Sequence, residues 1–218
     1  MSEADRKTWA QRLKTFDIGL GELISTILIG AATLLSAWCG YQSTQWAAIN
    51  DDHDTKGLAA LQRSVEYSII GNQKFGLEAS LFAQFLDAYH SGDKQLAEFV
   101  YNRFPDNLKR ATDLWLQSKP LKNPHAPRSP FVTSVYEVPA RKEADKAMKE
   151  STQHSALGDE ATDNANSFVF VSVLFTTVLF LASIATKMTS KILEEALLGF
   201  SLVFFVLSLG SLMTLPLA

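Results

Sequence analysis

The sequence predicts an all-α membrane protein with three transmembrane helices and a helical extracytoplasmic stalk-and-head domain inserted between spans 1 and 2. Two observations carry this reading. Residues 168–186 and 196–215 hold no charge, and each offers about 20 apolar-dominated positions, which at about 1.5 Å per residue matches a hydrocarbon core of roughly 30 Å. Residues 23–39 form a third run of the same class. The prolines are equally telling. Six of the seven lie between Pro105 and Pro139 and the last is Pro216, so nothing forbids continuous helix before or after that cluster. The 47% hydrophobic content and near-zero mean hydropathy look globular only because they average apolar runs with a polar middle.

Residues 1–17 read as a cytoplasmic amphipathic helix. Ser2 has Asp5 three positions on as a capping partner, and Trp9, Leu13 and Phe16 recur at helical spacing among Arg6, Lys7, Arg12 and Lys14. Such a helix either lies in the headgroup layer or packs as a cap on its own protein. Residues 18–41 are transmembrane helix 1. The apolar run is too long for a signal-peptide core and no small-x-small site closes it, while Trp38 is too bulky to precede a lipidated Cys39. The reading is an uncleaved anchor. Cys39 is the single cysteine, which excludes internal disulfides and cysteine-based zinc sites.

Residues 42–166 form the extracytoplasmic domain, with a stalk of 42–71 and 140–166 and a head of 72–139. Leu58, Leu61, Val65 and Ile69, then Phe75, Phe82, Phe85 and Tyr89, continue the helical period beyond the first span. Ser91-Gly92-Asp93 ends that helix. The outgoing arm is longer than the return arm, so a bend or break is expected near Gly71 and Gly76. Two short helices follow, one marked by Leu96, Phe99, Val100 and Phe104, the other over residues 107–118. Residues 119–139 are an irregular stretch with five prolines, a length usually reserved for function or disorder. Its Phe131, Val132, Val135, Tyr136 and Val138 argue against disorder. The return helix leads directly into transmembrane helix 2 at 167–186. A cytoplasmic turn spans 187–195, and transmembrane helix 3 spans 196–215. The four basic residues of the leader, with Lys187 and Lys191 in the turn, place both flanks in the cytoplasm by the positive-inside rule.

Candidate sites are few. In span 1, Glu22, Ser25, Thr26, Thr33, Ser36, Ala37 and Gly40 share one sector of the helical wheel, serving either close helix packing or, in a ring of copies, a pore. Glu22 is the carboxylate within a span; an acidic ring, snorkelling, or pairing with Lys14 each accounts for it. Asp51, His53, Asp54 and His154 are a candidate metal or pH site, set against a plain solvated surface. Asn123, Pro124, Pro127, Pro130, Phe131 and Tyr136 are a candidate partner-docking loop, or a loop that packs on its own head. Trp38, Tyr41 and Trp46 read as an interfacial aromatic belt, and His90 and His125 as surface residues. The chain has no Walker, dinucleotide, HExxH or GxSxG signature, and residues 41–166 carry 14 Lys/Arg against 17 Asp/Glu, which offers no basic patch for nucleic acid.

Four segments carry a resemblance: LLSAWCGYQSTQW (34–46), FLDAYHSGDKQLAEFVYNRF (85–104), LWLQSKPLKNPHAPRSPF (114–131) and the second span from Ser167. The chain resembles a group of three-span bacterial integral membrane proteins of unknown function. The run from Asn123 to Phe131 is its most specific piece, although Thr133-Ser134-Val135-Tyr136 stands where Met-Pro-Glu-Tyr is expected. The resemblance implies topology and no activity. The resulting expectation is a non-enzymatic module of the bacterial inner membrane, without cofactor, that self-associates or binds a protein partner through its head. A homo-oligomeric ion channel lined by span 1, and an accessory subunit of a transporter or envelope sensor, are the alternatives.

Overall fold

A computed structural model describes residues 20–120 and 122–218. The expected opening helix over 1–17 lies outside them, as does the Lys14 partner considered for Glu22. The described chain is helical: α1 (Leu20–Ser91), α2 (Lys94–Tyr101), α3 (Asp106–Gln117), a 3-10 turn (Pro130–Val132), α4 (Pro139–Ala185) and α5 (Lys191–Thr214). No strand occurs among the described residues.

Local chemistry sets these ends. Gly92 adopts φ +78°, and the Asp93 N–H bonds the Ala88 carbonyl at 3.0 Å, which is the Schellman closure that a left-handed glycine permits. Asp93 then caps α2, its carboxylate accepting from the Leu96 N–H at 3.0 Å. Pro105 precedes α3, and Asp106 puts a negative charge in its first turn. α3 stops at Gln117, and two residues on Lys119, a non-glycine residue, is held at φ 52° with Pro120 behind it. Pro139 opens α4, where a missing N–H costs nothing.

One expectation is corrected. α1 runs for 72 residues and does not break at Gly71 or Gly76. Gly71 serves close approach instead: a Cβ there would lie 3.2 Å from Cγ of Arg141 at the start of α4. Gly76 faces open space. The helix has no reason to stop, because further aromatic residues on the same chain give its last turns something to bury.

The chain divides into two compact units. The first comprises the described residues up to Asp54 together with Ser155–Ala218. Its core joins Ala32 and Cys39 of α1 to Phe168, Val171, Phe175 and Val178 of α4, with Phe204 and Phe205 of α5 against them. Ser25, Leu28, Ala32, Cys39 and Gln42 are buried on α1; Ala161, Ala165, Phe168, Val171, Phe175, Val178, Ala182 and Ala185 are buried on α4. The steps of three and four are the seam of helices packed along their length. Contact is close where residues are small: a Cβ on Gly158 would lie 2.9 Å from the Asn50 Oδ1. α1, α4 and α5 are each long and apolar enough to cross a membrane, and only 22%, 33% and 17% of their most apolar stretches are buried. Leu34, Phe180, Ile192 and Met213 stand outward.

The second unit is Thr55–His154. It has a seam of the same kind, made by Ala60 and Ser64 on α1 and Ala144 and Ala147 on α4, and the Ser64 hydroxyl donates to the Ala144 carbonyl at 2.9 Å. Farther along α1, Phe82, Phe85 and Ala88 pack with Ala97, Val100 and Phe104, and with Leu108 and Trp115 of α3. Phe82 meets Trp115 edge-on at 5.3 Å and Phe85 meets Phe104 edge-on at 5.5 Å, the arrangement that ring quadrupoles favour.

Opposite backbone substitutions test this account. Gly92→Ala is expected to lower the stability of the full chain in detergent by about 1 kcal/mol, and Lys119→Gly to raise it by up to about 1 kcal/mol. Thermal unfolding followed by far-ultraviolet circular dichroism reads both; shifts in the same direction contradict the assigned helix ends.

Candidate functional site

Two features of the first unit hold the candidate residues of span 1. On the seam, Ser25 is buried, and the Ser36 hydroxyl pairs with that of Ser172 on α4 at 2.8 Å. These two members of the predicted sector face an intrachain neighbour. Glu22, Thr26, Thr33, Ala37 and Gly40 are exposed on this chain. Thr26 and Thr33 turn their hydroxyls back to the Glu22 and Ile29 carbonyls at 2.8 and 2.7 Å, and Thr44 does the same to Gly40 at 3.0 Å. Their protons are thereby satisfied within the helix, as is common where a helix faces no water. A Cβ added at Gly30 or Gly40 would meet nothing within 4 Å. The structure thus splits the sector into an inward pair and an outward row.

The second feature is a polar fastening. Trp46 donates from Nε1 to the Pro216 carbonyl at 3.1 Å, and the Ala218 N–H donates to Oε1 of buried Gln42 at 3.0 Å. The residues after α5 are therefore tied to α1. Trp38 and Tyr41, with ring centroids 5.6 Å apart, remain half open, as belt residues would. Trp46 has the additional task of holding Pro216.

Asp51 and Asp54 are exposed on α1, while His53 is half-buried there. His154 is half-buried on α4 in the other unit. Among the described residues, no three His, Cys, Asp or Glu side chains are placed to hold a metal ion. Asp54 lies instead along the close approach to Gly158, its Oδ1 3.2 Å from where a Cβ would stand.

The proline-rich loop is held within the second unit, by that unit's own residues. Trp115 donates from Nε1 to the Pro127 carbonyl at 2.7 Å. Pro130 is buried, and Phe131 packs edge-on to Phe75, Phe82 and Tyr136, with centroids 5.0 to 5.6 Å away. Asn123 accepts from the His125 N–H at 2.9 Å and donates to the Ser118 carbonyl at 3.2 Å, a local turn. Of the six loop residues singled out, Pro130, Phe131 and Tyr136 face the core; Asn123, Pro124 and Pro127 are exposed. A groove of about 260 Å³ lies beside them, lined by Leu86, Tyr89, Trp115 and Leu116 with Lys119 and Lys122.

Beneath the loop is a residue that reading the sequence passed over. Glu78 of α1 is wholly buried. It accepts from the Tyr136 hydroxyl at 2.6 Å and from Nδ2 of Asn107 at 3.2 and 3.3 Å, with the Lys74 ammonium 3.9 Å away. A buried carboxylate persists only when so surrounded by donors. Asn107 also donates to the Glu137 carbonyl at 3.2 Å, so α1, α3 and the loop meet at one charge. The signal was present: Gly71, Glu78 and Phe85 are seven apart, which keeps Glu78 on the seam. Burial, and then the Glu78 hydrogen bond, push the Tyr136 phenol well above its ordinary range. Tyr101 donates to Asp113 at 2.6 Å; that bond, more than burial, pushes its phenol up to about 12. The Thr112 hydroxyl is buried without a partner.

No protein-family model matches the chain, and neither a characterised protein nor a solved structure matches it.

Two measurements check this geometry. Tyr136→Phe removes a donor from a buried carboxylate and is expected to cost about 1.5–3 kcal/mol, read by thermal unfolding of the full chain. A loss under about 0.5 kcal/mol would show that Glu78 does not need the phenol. Tyr101, with its folded value raised above the ordinary 10.0, stabilises the fold below pH 10 and ceases to do so as pH rises toward about 12. Absorbance titration near the phenolate band should show phenols that ionise late, and Tyr101→Phe should remove one of them.

Proposed function

We propose that the chain is a non-enzymatic, self-associating or partner-binding module of the bacterial inner membrane. The observation that supports this best is the outward apolar surface of α1, α4 and α5, most of which the chain itself does not cover. A surface of that extent is stable in lipid or against other helices, and costly in water. The basic residues of 1–17, with Lys187 after α4 and Lys191 at the start of α5, favour an N-terminus in the cytoplasm. Thr55–His154 then stands on the extracytoplasmic side, where its loop-covered head is offered to a partner. The resemblance to three-span bacterial membrane proteins leads to the same topology.

A homo-oligomeric channel is the second reading, favoured by the outward row of Glu22, Thr26, Thr33, Ala37 and Gly40. Three spans hold too few polar groups for a path within one subunit, so this reading needs a ring.

Topology is tested with a Cys39→Ser chain carrying either Gln84→Cys or Thr189→Cys. In intact spheroplasts a membrane-impermeant maleimide should label the first and spare the second; the reverse pattern overturns the orientation. Ion flux in liposomes decides the channel. Flux that falls at least severalfold in Glu22→Gln supports an acidic ring, and a leak-free bilayer removes the channel reading.

A further inference from the structure

Beside the proline-rich loop, the groove of about 260 Å³ joins apolar walls to two cations. Leu86 and Tyr89 of α1, about one turn apart, form one wall, and Trp115 and Leu116 of α3 form the other. The Trp115 Nε1 is already bonded to the Pro127 carbonyl at 2.7 Å, which fixes the indole in place as a wall. Lys119 and Lys122, both exposed, complete the lining. A strained turn brings these two lysines together. Lys119 stands at φ 52°, where a residue with a Cβ is disfavoured. Its carbonyl accepts from the Lys122 and Asn123 N–H groups at 2.8 and 2.9 Å, so the chain curls back and both lysines reach one groove. The Asn123 side chain fastens the turn by donating to the Ser118 carbonyl at 3.2 Å. Glycine would relieve the strain at this position and lose the ammonium. Strain of this kind gathers at ligand sites.

We propose that the groove binds a small amphipathic carboxylate, a molecule with one ring or a short chain as its body and one anionic end. The body lies between Tyr89, Trp115 and the two leucines, and the carboxylate meets Lys119 and Lys122. Charge selects the anion. Among the described residues, neither ammonium has a carboxylate partner. The acids on the neighbouring turns are engaged or turned away: Asp93 caps α2, and Asp113 accepts from Tyr101 at 2.6 Å. Asp87 stands about 100° round α1 from Leu86 and about 160° from Tyr89, and does not line the groove. Residues 55–154 hold 14 Lys/Arg against 11 Asp/Glu, so the field of the unit also favours an anion. Size selects a small molecule. The volume lies just under the roughly 300–1,000 Å³ of drug-sized sites, whereas a protein interface takes roughly 20–30 residues a side, a much wider face than this. The site goes beyond the membrane-module reading and does not depend on which side of the bilayer the unit faces.

The test uses the full chain in phosphatidylcholine nanodiscs with phenylbutyrate as the probe, followed by saturation-transfer NMR against empty nanodiscs. Binding with a Kd on the order of 1 mM or below is expected for so small a molecule. Phenylbutanamide, which has the same body and no charge, should bind at least tenfold more weakly. Lys119→Gln with Lys122→Gln, both at exposed positions, should weaken phenylbutyrate binding at least tenfold and leave the thermal unfolding midpoint in place. Tyr89→Ser should weaken both probes. Equal binding of acid and amide, or full binding by the double lysine variant, means that the lysines hold no anion and overturns the proposal. So does an absence of transfer at about 10 mM phenylbutyrate. If phenylbutyrate fails while a blocked Asp-Phe-Asp peptide binds the wild type and not the double variant, the occupant is a protein partner and the small-molecule assignment falls.

Discussion

Close approach between α1 and α4 is the constraint on which the rest depends. Long helices lie side by side over many turns only if the residues between them leave room. In the first unit that room comes from buried Ser25, Ala32 and Cys39 and from Ser36 on α1, and from Gly158, Ala161, Ala165 and Ser172 on α4, with Ser36 meeting Ser172 and Gly158 lying against Asn50. In the second it comes from Ala60, Ser64 and Gly71 facing Arg141, Ala144 and Ala147. Small side chains lose little entropy on burial and bring the backbones near enough for hydroxyl-to-carbonyl bonds such as Ser64 to Ala144.

Where its seam ends, the second unit changes its manner of packing. Phe82 and Phe85 replace the small residues, and α2, α3 and the proline-rich loop close around them. Prolines suit that loop because their fixed φ lowers the cost of ordering it. Glu78 ties the aromatic cluster to the loop: a buried carboxylate must gather donors, and Tyr136 and Asn107 are the ones in reach. Apolar burial stabilises this part of the second unit, and Glu78 joins α1, α3 and the loop within it.

The two units also differ in what their outer faces require. In the first, leucine, isoleucine, valine and phenylalanine point outward around three helices, which suits an apolar solvent. In the second, most outward positions are polar or charged, and exposed Leu58, Leu61, Val65 and Ile69 of α1 are conspicuous for that reason. The same residue types are unremarkable in one setting and informative in the other, since the medium decides their cost.

The helical fold, the three apolar helices and the helix ends near Gly92 and Lys119 were legible in the sequence, because each follows from local composition: runs without charge, proline, and a glycine beside a capping aspartate. The candidate sites were less so. A wheel drawn for α1 alone grouped Ser25 and Ser36 with Thr26 and Thr33, since it holds no information about where a neighbour lies. Only packing against the neighbouring helices separated them into an inward pair and an outward row. The same is true of Glu78, which reads as one more charge on a long helix until α3 and the loop surround it, and of Gly71, which reads as a weak point and proves to be a point of contact. Composition and period set what each helix can be; the register between helices, which depends on residues from 70 to 136 positions apart, decided which face each one buries.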